Sequence, residues 1–110
     1  KKRWTKKRFD YVSIDCEPPN ITLKALENLP LHEYRFSVIT FESDLYAHGP
    51  ECRDIQRRIL NDLGYQIVAR DVQNGGNPFE DWWVDPEIVD EITWGPFISH
   101  YAEARSLFVK

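Results

Sequence analysis

A chain of 110 residues, 42% hydrophobic and 29% charged, has room for one core and is too apolar for a disordered tail. Its net charge of −4 conceals an asymmetry: six of the 14 basic residues fall in Lys1 to Arg8, leaving eight bases against 18 acids from Phe9 onward. An acidic body repels phosphate backbones, which argues against nucleic-acid binding as its general activity, and the basic arm at residues 1–8 reads as a solvated terminus.

The first predicted element lies in Asp10 to Glu17, where Tyr11, Val12 and Ile14 form an apolar run that stops at Asp15 and Glu17 and then meets Pro18-Pro19. A near-continuous apolar run bounded by turn residues predicts a strand covered on both faces, as in a parallel sheet. Parallel sheets keep their ligands at the carboxyl ends of strands, so Asp15 and Glu17 are either site residues or caps of the next helix. That helix is predicted from Ile21, Leu23, Ala25, Leu26 and Leu29, with Pro30 ending it. Arg35 to Phe41 is dense in β-branched and aromatic residues, predicts a second strand, and again finishes in acids, Glu42 and Asp44.

A loop through His48-Gly49-Pro50 leads to the clearest helix, with Cys52, Ile55, Ile59, Leu60 and Leu63 on one face, Arg53, Arg57 and Arg58 mainly on the other, and Gly64 as its terminator. Tyr65 to Val72 predicts a third strand. Asn74-Gly75-Gly76-Asn77-Pro78 predicts a turn, and Asp81 to Val84 a fourth strand folding back as a hairpin. The order β-α-β-α-β-β implies a mixed α/β sheet with parallel pairing, right-handed crossovers and an antiparallel partner added at one end. Residues 91–110 form an extension, with a closing helix expected from Ser99 through Tyr101, Ala102, Arg105, Leu107 and Phe108.

The ordered set Tyr11-Val12-Ser13-Ile14-Asp15-Cys16-Glu17, Val38-Ile39-Thr40-Phe41-Glu42, Ile59-Leu60-Asn61-Asp62-Leu63-Gly64-Tyr65 and Glu80-Asp81-Trp82-Trp83-Val84 resembles the FkbM family of methyltransferases across most of residues 9 to 89. In that family a strand ending in an Ile-Asp-Val-Glu-Gly type motif is followed by a helix, a strand ending in Glu, a helix closing in Gly-Tyr, and a late hairpin. The resemblance implies a Rossmann-like domain at residues 9–90 that uses S-adenosylmethionine to methylate a hydroxyl of a small molecule or sugar. It corresponds to the carboxyl half of such a domain. The family's first half carries the glycine-rich turn that receives the cofactor, and this chain has no such turn, so it is expected to be inactive without a complementing half. Pro18 stands where the family usually has Gly, and Asn20 where a second acid often follows.

Methyl transfer to oxygen needs donor and acceptor aligned and, for a weakly acidic hydroxyl, a proton acceptor. Asp15, Glu17 and Glu42 are the candidate catalytic carboxylates; no metal is expected among them, even with His48 nearby, since hard cations need several converging oxygens. His32 and His100 have no partners in sequence. Gly75-Gly76 fits hairpin geometry better than cofactor binding. Cys16 and Cys52 form no CxxC and have no zinc-finger histidines, which predicts reduced thiols in a cytoplasmic protein. No run approaches 18 apolar residues and no secretory leader opens the chain.

The adjacent Trp82 and Trp83 must face opposite sides of a strand, so the core takes one and leaves the other for solvent, a missing half or a partner. The alternative to an enzyme is therefore a non-catalytic interaction module that docks a partner, or a second copy, through its exposed sheet edge and an aromatic patch.

Overall fold

The structure, a computed structural model, describes residues 7–14, 19–29, 31 and 34–107. The expected run of elements is present at its start: β1 (Lys7–Ile14), α1 (Pro19–Asn28), β2 (Tyr34–Glu42), a one-turn helix α2 (Leu45–His48), α3 (Glu51–Asp62), β3 (Gln66–Asn74) and β4 (Asn77–Val84). A short α4 (Glu91–Trp94), a 3₁₀ turn at Gly95–Phe97, β5 (Ser99–His100) and α5 (Ala104–Leu107) complete it. The protein is a mixed α/β fold with one five-stranded sheet in the order β1-β2-β4-β3-β5. Among the described residues, no helix is long and apolar enough to cross a membrane.

β1 and β2 run parallel, in register from Lys7 opposite Tyr34 to Ile14 opposite Phe41, as a crossover through α1 requires. The hairpin does not add its antiparallel strand at the end of the sheet. β4 inserts between β2 and β3, antiparallel to both, so β3 runs the same way as β2 and is left to pair in parallel with β5. Insertion gives Trp83 two flanking strands, opposite Ile39 and Ile67, and buries it completely. Trp82, on the opposite face, is half-buried, as adjacency in a strand dictates.

One face of the sheet is closed by the helices. Ile14, Ile39, Phe41, Ile67 and Trp83 pack there with Leu26 of α1 and Leu60 of α3. The other face is closed over β3 and part of β4, where Ala69 and Val72 meet Leu107 and the flanking Phe79, Trp82 and Phe97. Over β1 and β2 it stays open, so β1 is not covered on both faces. Ile14 is buried, but Phe9 and Tyr11 are 46% and 56% exposed. A trough of about 370 Å³ runs along this face between Tyr11, Val38, Thr40 and Trp82, walled by Trp94 and Phe97 from the carboxyl-terminal segment.

The expected closing helix is reduced to the single turn α5. Ser99 and His100 are drawn into the sheet instead, and Tyr101 has φ of 66°, which a right-handed helix cannot contain. Phe108 lies outside the described residues.

Candidate functional site at the carboxyl edge of the sheet

β2 leaves the sheet at Glu42, whose register partner is Glu80 at the start of β4. One residue further along, β4 is irregular: Val72 opposes Glu80 and Gln73 opposes Pro78, so Phe79 is the extra residue of a bulge. Its carbonyl, released from the ladder, accepts the amides of both Ser43 and Asp44, at 2.8 and 2.9 Å. That pair of hydrogen bonds turns the chain sharply. Asp44 takes the left-handed conformation, φ 49° and ψ 51°, is 4% exposed, and offers its carbonyl to the amides of Ala47 and His48 to start α2. A non-glycine residue held there stores strain of about 1 kcal/mol or more.

The result is a cavity of about 300 Å³ lined by Glu42, Asp44, Asn74, Asn77 and Phe79. Two carboxylates accept hydrogen bonds, two carboxamides both donate and accept, and one ring offers an apolar wall. This set suits a small molecule rich in hydroxyl groups, and a carboxylate within reach of a hydroxyl can take its proton. Of the three carboxylates singled out in the sequence, Glu42 lines this cavity, while Asp15 and Glu17 lie outside the described residues. Asn74, Asn77 and Phe79 were legible only as a turn and its flank.

A second polar centre lies beneath α3, and sequence reasoning missed it. Arg53, Gln56 and Arg57 do not sit on the solvent face. They follow the i, i+3, i+4 spacing of one helical stripe that reaches Leu60, and Gln56 is fully buried. Beneath them β3 bulges at Asp71, where three steps from Ala69 to Val72 oppose two from Trp82 to Glu80, and Asp71 adopts φ of 50°. The bulge turns Asp71 toward α3, and its amide donates to Asp81 Oδ1 at 2.8 Å.

Arg57 grips Asp81 with two bonds, Nε to Oδ2 at 2.8 Å and Nη2 to Oδ1 at 2.9 Å, and Nη2 also lies 3.1 Å from Asp71 Oδ1. Gln56 Nε2 donates to Asp81 Oδ2, and Gln56 Oε1 accepts from Trp83 Nε1 at 3.1 Å. Arg53 Nη1 approaches Asp71 Oδ1 at 3.3 Å. From the edge, His100 Nε2 meets Asp71 Oδ2 at 2.9 Å while its ring stacks on Tyr101 at 4.0 Å.

Burial pushes the Asp71 carboxyl up, but the His100 hydrogen bond and the charges of Arg57 and Arg53 together outweigh it and hold the group below the usual carboxylate range. For Arg57, burial works against the charge, and the bond and charge of Asp81 overcome it, so the guanidinium is more firmly protonated than usual. Two acids balanced by two guanidiniums, with Arg57 bridging both acids and Arg53 reaching Asp71, form a structural joint between α3, β3, β4 and β5 rather than an open site. A second buried pair works likewise: Arg35 Nε meets Asp85 Oδ2 at 3.2 Å, Nη1 donates to the Leu63 carbonyl at 2.9 Å, and the guanidinium lies 4.1 Å over the Tyr65 ring.

The remaining sequence candidates have structural surroundings. Gly75 and Gly76, at φ 62° and 86°, make the hairpin turn, and their amides donate to the two carboxylate oxygens of Glu103, at 3.0 and 2.8 Å. Burial, then the neighbouring Glu51 charge, pushes the Cys52 thiol up, away from the reactive thiolate. Cys16 and His32 are outside the described residues, and His48 is exposed at the end of α2. Among the described residues, no three His, Cys, Asp or Glu side chains gather as a metal would need.

An S-adenosylmethionine cradle needs a glycine-rich turn between strand and helix, where backbone amides approach the ligand. Among the described residues the one Gly-Gly pair joins two strands, and its amides are occupied by Glu103. The residues present do not fit that cofactor by themselves. No family model, no curated protein and no solved structure matches the chain.

Proposed function

We propose that this chain is the acceptor-side, carboxyl half of an S-adenosylmethionine-dependent methyltransferase-like domain of Rossmann type, acting on a hydroxyl of a small molecule or sugar. The observation that supports this reading best is the cavity holding Glu42, Asp44, Asn74 and Asn77 at the carboxyl edge of β2, immediately after a parallel β1-α1-β2 crossover. Open α/β sheets bind ligands at that edge. The order of sequence features shared with the FkbM family adds the reaction type. Glu42 would accept the proton of the acceptor hydroxyl; Asp15 and Glu17, the other candidate carboxylates, lie outside the described residues.

The cofactor cradle would come from a complementing amino half. The test joins this chain to a glycine-rich amino half of an FkbM-type methyltransferase and measures methyl transfer to sugar hydroxyls. Activity is expected, with Glu42→Gln lowering turnover by about 10²- to 10⁴-fold while cofactor affinity is kept. Unchanged turnover in that variant removes Glu42 from the chemistry, and no transfer by the joined protein overturns the reading.

A second reading, a non-catalytic interaction module, is favoured by one observation: the open apolar face, with Tyr11 more than half exposed beside the trough. Loss of partner binding on substitution of Tyr11 and Trp82, with no effect of Glu42→Gln on any activity, would favour it.

A further inference from the structure

The two edges of the sheet are unequal. One is closed by β5, a strand of two residues, and the other is β1, eight residues long, which among the described residues pairs with β2 alone. A long edge strand is a template for another strand unless charge or a bulge interrupts it. Phe9 on β1 is 46% exposed and lies against β2, stacked at 5.4 Å on Phe36 and 5.8 Å from Tyr34.

We infer that β1 pairs antiparallel with β1 of a second copy about a two-fold axis through Phe9, joining two sheets into one. The register follows from charge. In a two-fold antiparallel pair, residues on the same face oppose each other, so the axis must pass through a residue position. An axis at Arg8 sets Arg8 against Arg8, and one at Asp10 sets Asp10 against Asp10, both like-charged. An axis at Tyr11 sets Asp10 against Val12. An axis at Phe9 sets Arg8 against Asp10 twice, by symmetry, sets Lys7 against Tyr11, and brings the two Phe9 positions together on the open face. Counting pairs made within Lys7–Ile14, it alone of these registers brings opposite charges and aromatics together at once.

The pairing uses the same open edge that the proposed function leaves for a complementing half, but it does not rest on methyl transfer: a second copy and an amino half compete for β1. The test has two arms on the full 110-residue chain. Sedimentation of the chain across micromolar concentrations is expected to show a monomer–dimer equilibrium. Asp10→Arg should weaken it by about tenfold, since it sets two bases against each other twice, and Arg8→Asp combined with Asp10→Arg should restore it.

In a background with Cys16→Ser and Cys52→Ser, Phe9→Cys should form a disulfide-linked dimer on air oxidation. Tyr11→Cys should not, because its two copies would sit about 13 Å apart along the strands. A monomer at 100 μM, roughly the upper limit for an affinity of interest, overturns the inference. So does a charge-swapped double variant that fails to recover, or crosslinking by Tyr11→Cys as efficient as by Phe9→Cys. A monomeric chain that still gives an active joined methyltransferase would overturn the pairing and leave the proposed function standing.

Discussion

The two faces of the sheet were built from similar residues for different ends. Under α1 and α3, partners converge on the buried acids: Asp81 accepts from Arg57, Gln56 and the Asp71 amide. On the opposite face, β1, β2 and β4 present Tyr11, Val38 and Trp82 to a trough that the carboxyl-terminal segment walls on one side. The closed face shows what holding the fold requires. The open face shows apolar surface that folding alone does not use, and the candidate site lies at the edge where β2 leaves the sheet.

If the closed face is a joint, its removal should be costly. Asp81→Ala strands Arg57, Gln56 and a buried amide at once and should destabilise the protein by about 3–5 kcal/mol, measured by urea unfolding. A loss below about 1 kcal/mol would make the cluster incidental.

Asp71 sharpens the comparison through pH. Its folded-state affinity for protons is lower than in the unfolded chain, so it adds stability above the ordinary carboxylate pKa of about 3.9, and that stability is lost as pH falls through the lowered folded value. Asp71→Asn should lower stability at neutral pH by on the order of 1–3 kcal/mol and flatten the acid limb below about pH 4. An unchanged acid limb in the variant would show that His100 and the two arginines do not favour the ionised form.

The hairpin lies between the two regimes. Gly76→Ala has free space for its methyl but a φ of 86°, so backbone strain alone should cost about 1–2 kcal/mol in thermal or urea unfolding. The smallest effect belongs to the open face. Tyr11→Ser gives up an exposed ring and one hydrogen bond to Thr40 at 3.0 Å, so stability should change by less than about 1 kcal/mol. Binding of an apolar-surface dye should nevertheless fall clearly. A large loss of stability there would mean that the open face supports the fold after all.

Much of the chain order was legible because it is written locally. Val38-Ile39-Thr40-Phe41 can hardly be anything but a strand, Gly64 stops α3, and Gly75-Gly76 supplies the positive φ that a tight turn needs. What escaped depends on partners distant in sequence. β4 enters between β2 and β3 because Trp83 is buried best with a strand on each side, and no local pattern records that. The apolar stripe of α3 read from Cys52, Ile55 and Ile59 concealed the polar one, since Arg53 and Arg57 belong inside only when Asp71 and Asp81 wait below. The β3 bulge that delivers Asp71 has no glycine to announce it. At the candidate site, Glu42 was legible as an acid at a strand end, but Asn74 and Asn77 read as turn residues because only the folded hairpin brings them beside β2.

The half-domain reading is tested most directly by calorimetric titration of S-adenosylmethionine into this chain alone and into the chain joined to a glycine-rich amino half. The expected result is no measurable binding to the isolated chain at hundreds of micromolar and clear binding to the joined protein, a difference of at least about 2 kcal/mol in binding free energy. Micromolar binding by the isolated 110-residue chain would contradict it, because the cradle would then have to lie within residues 1–110.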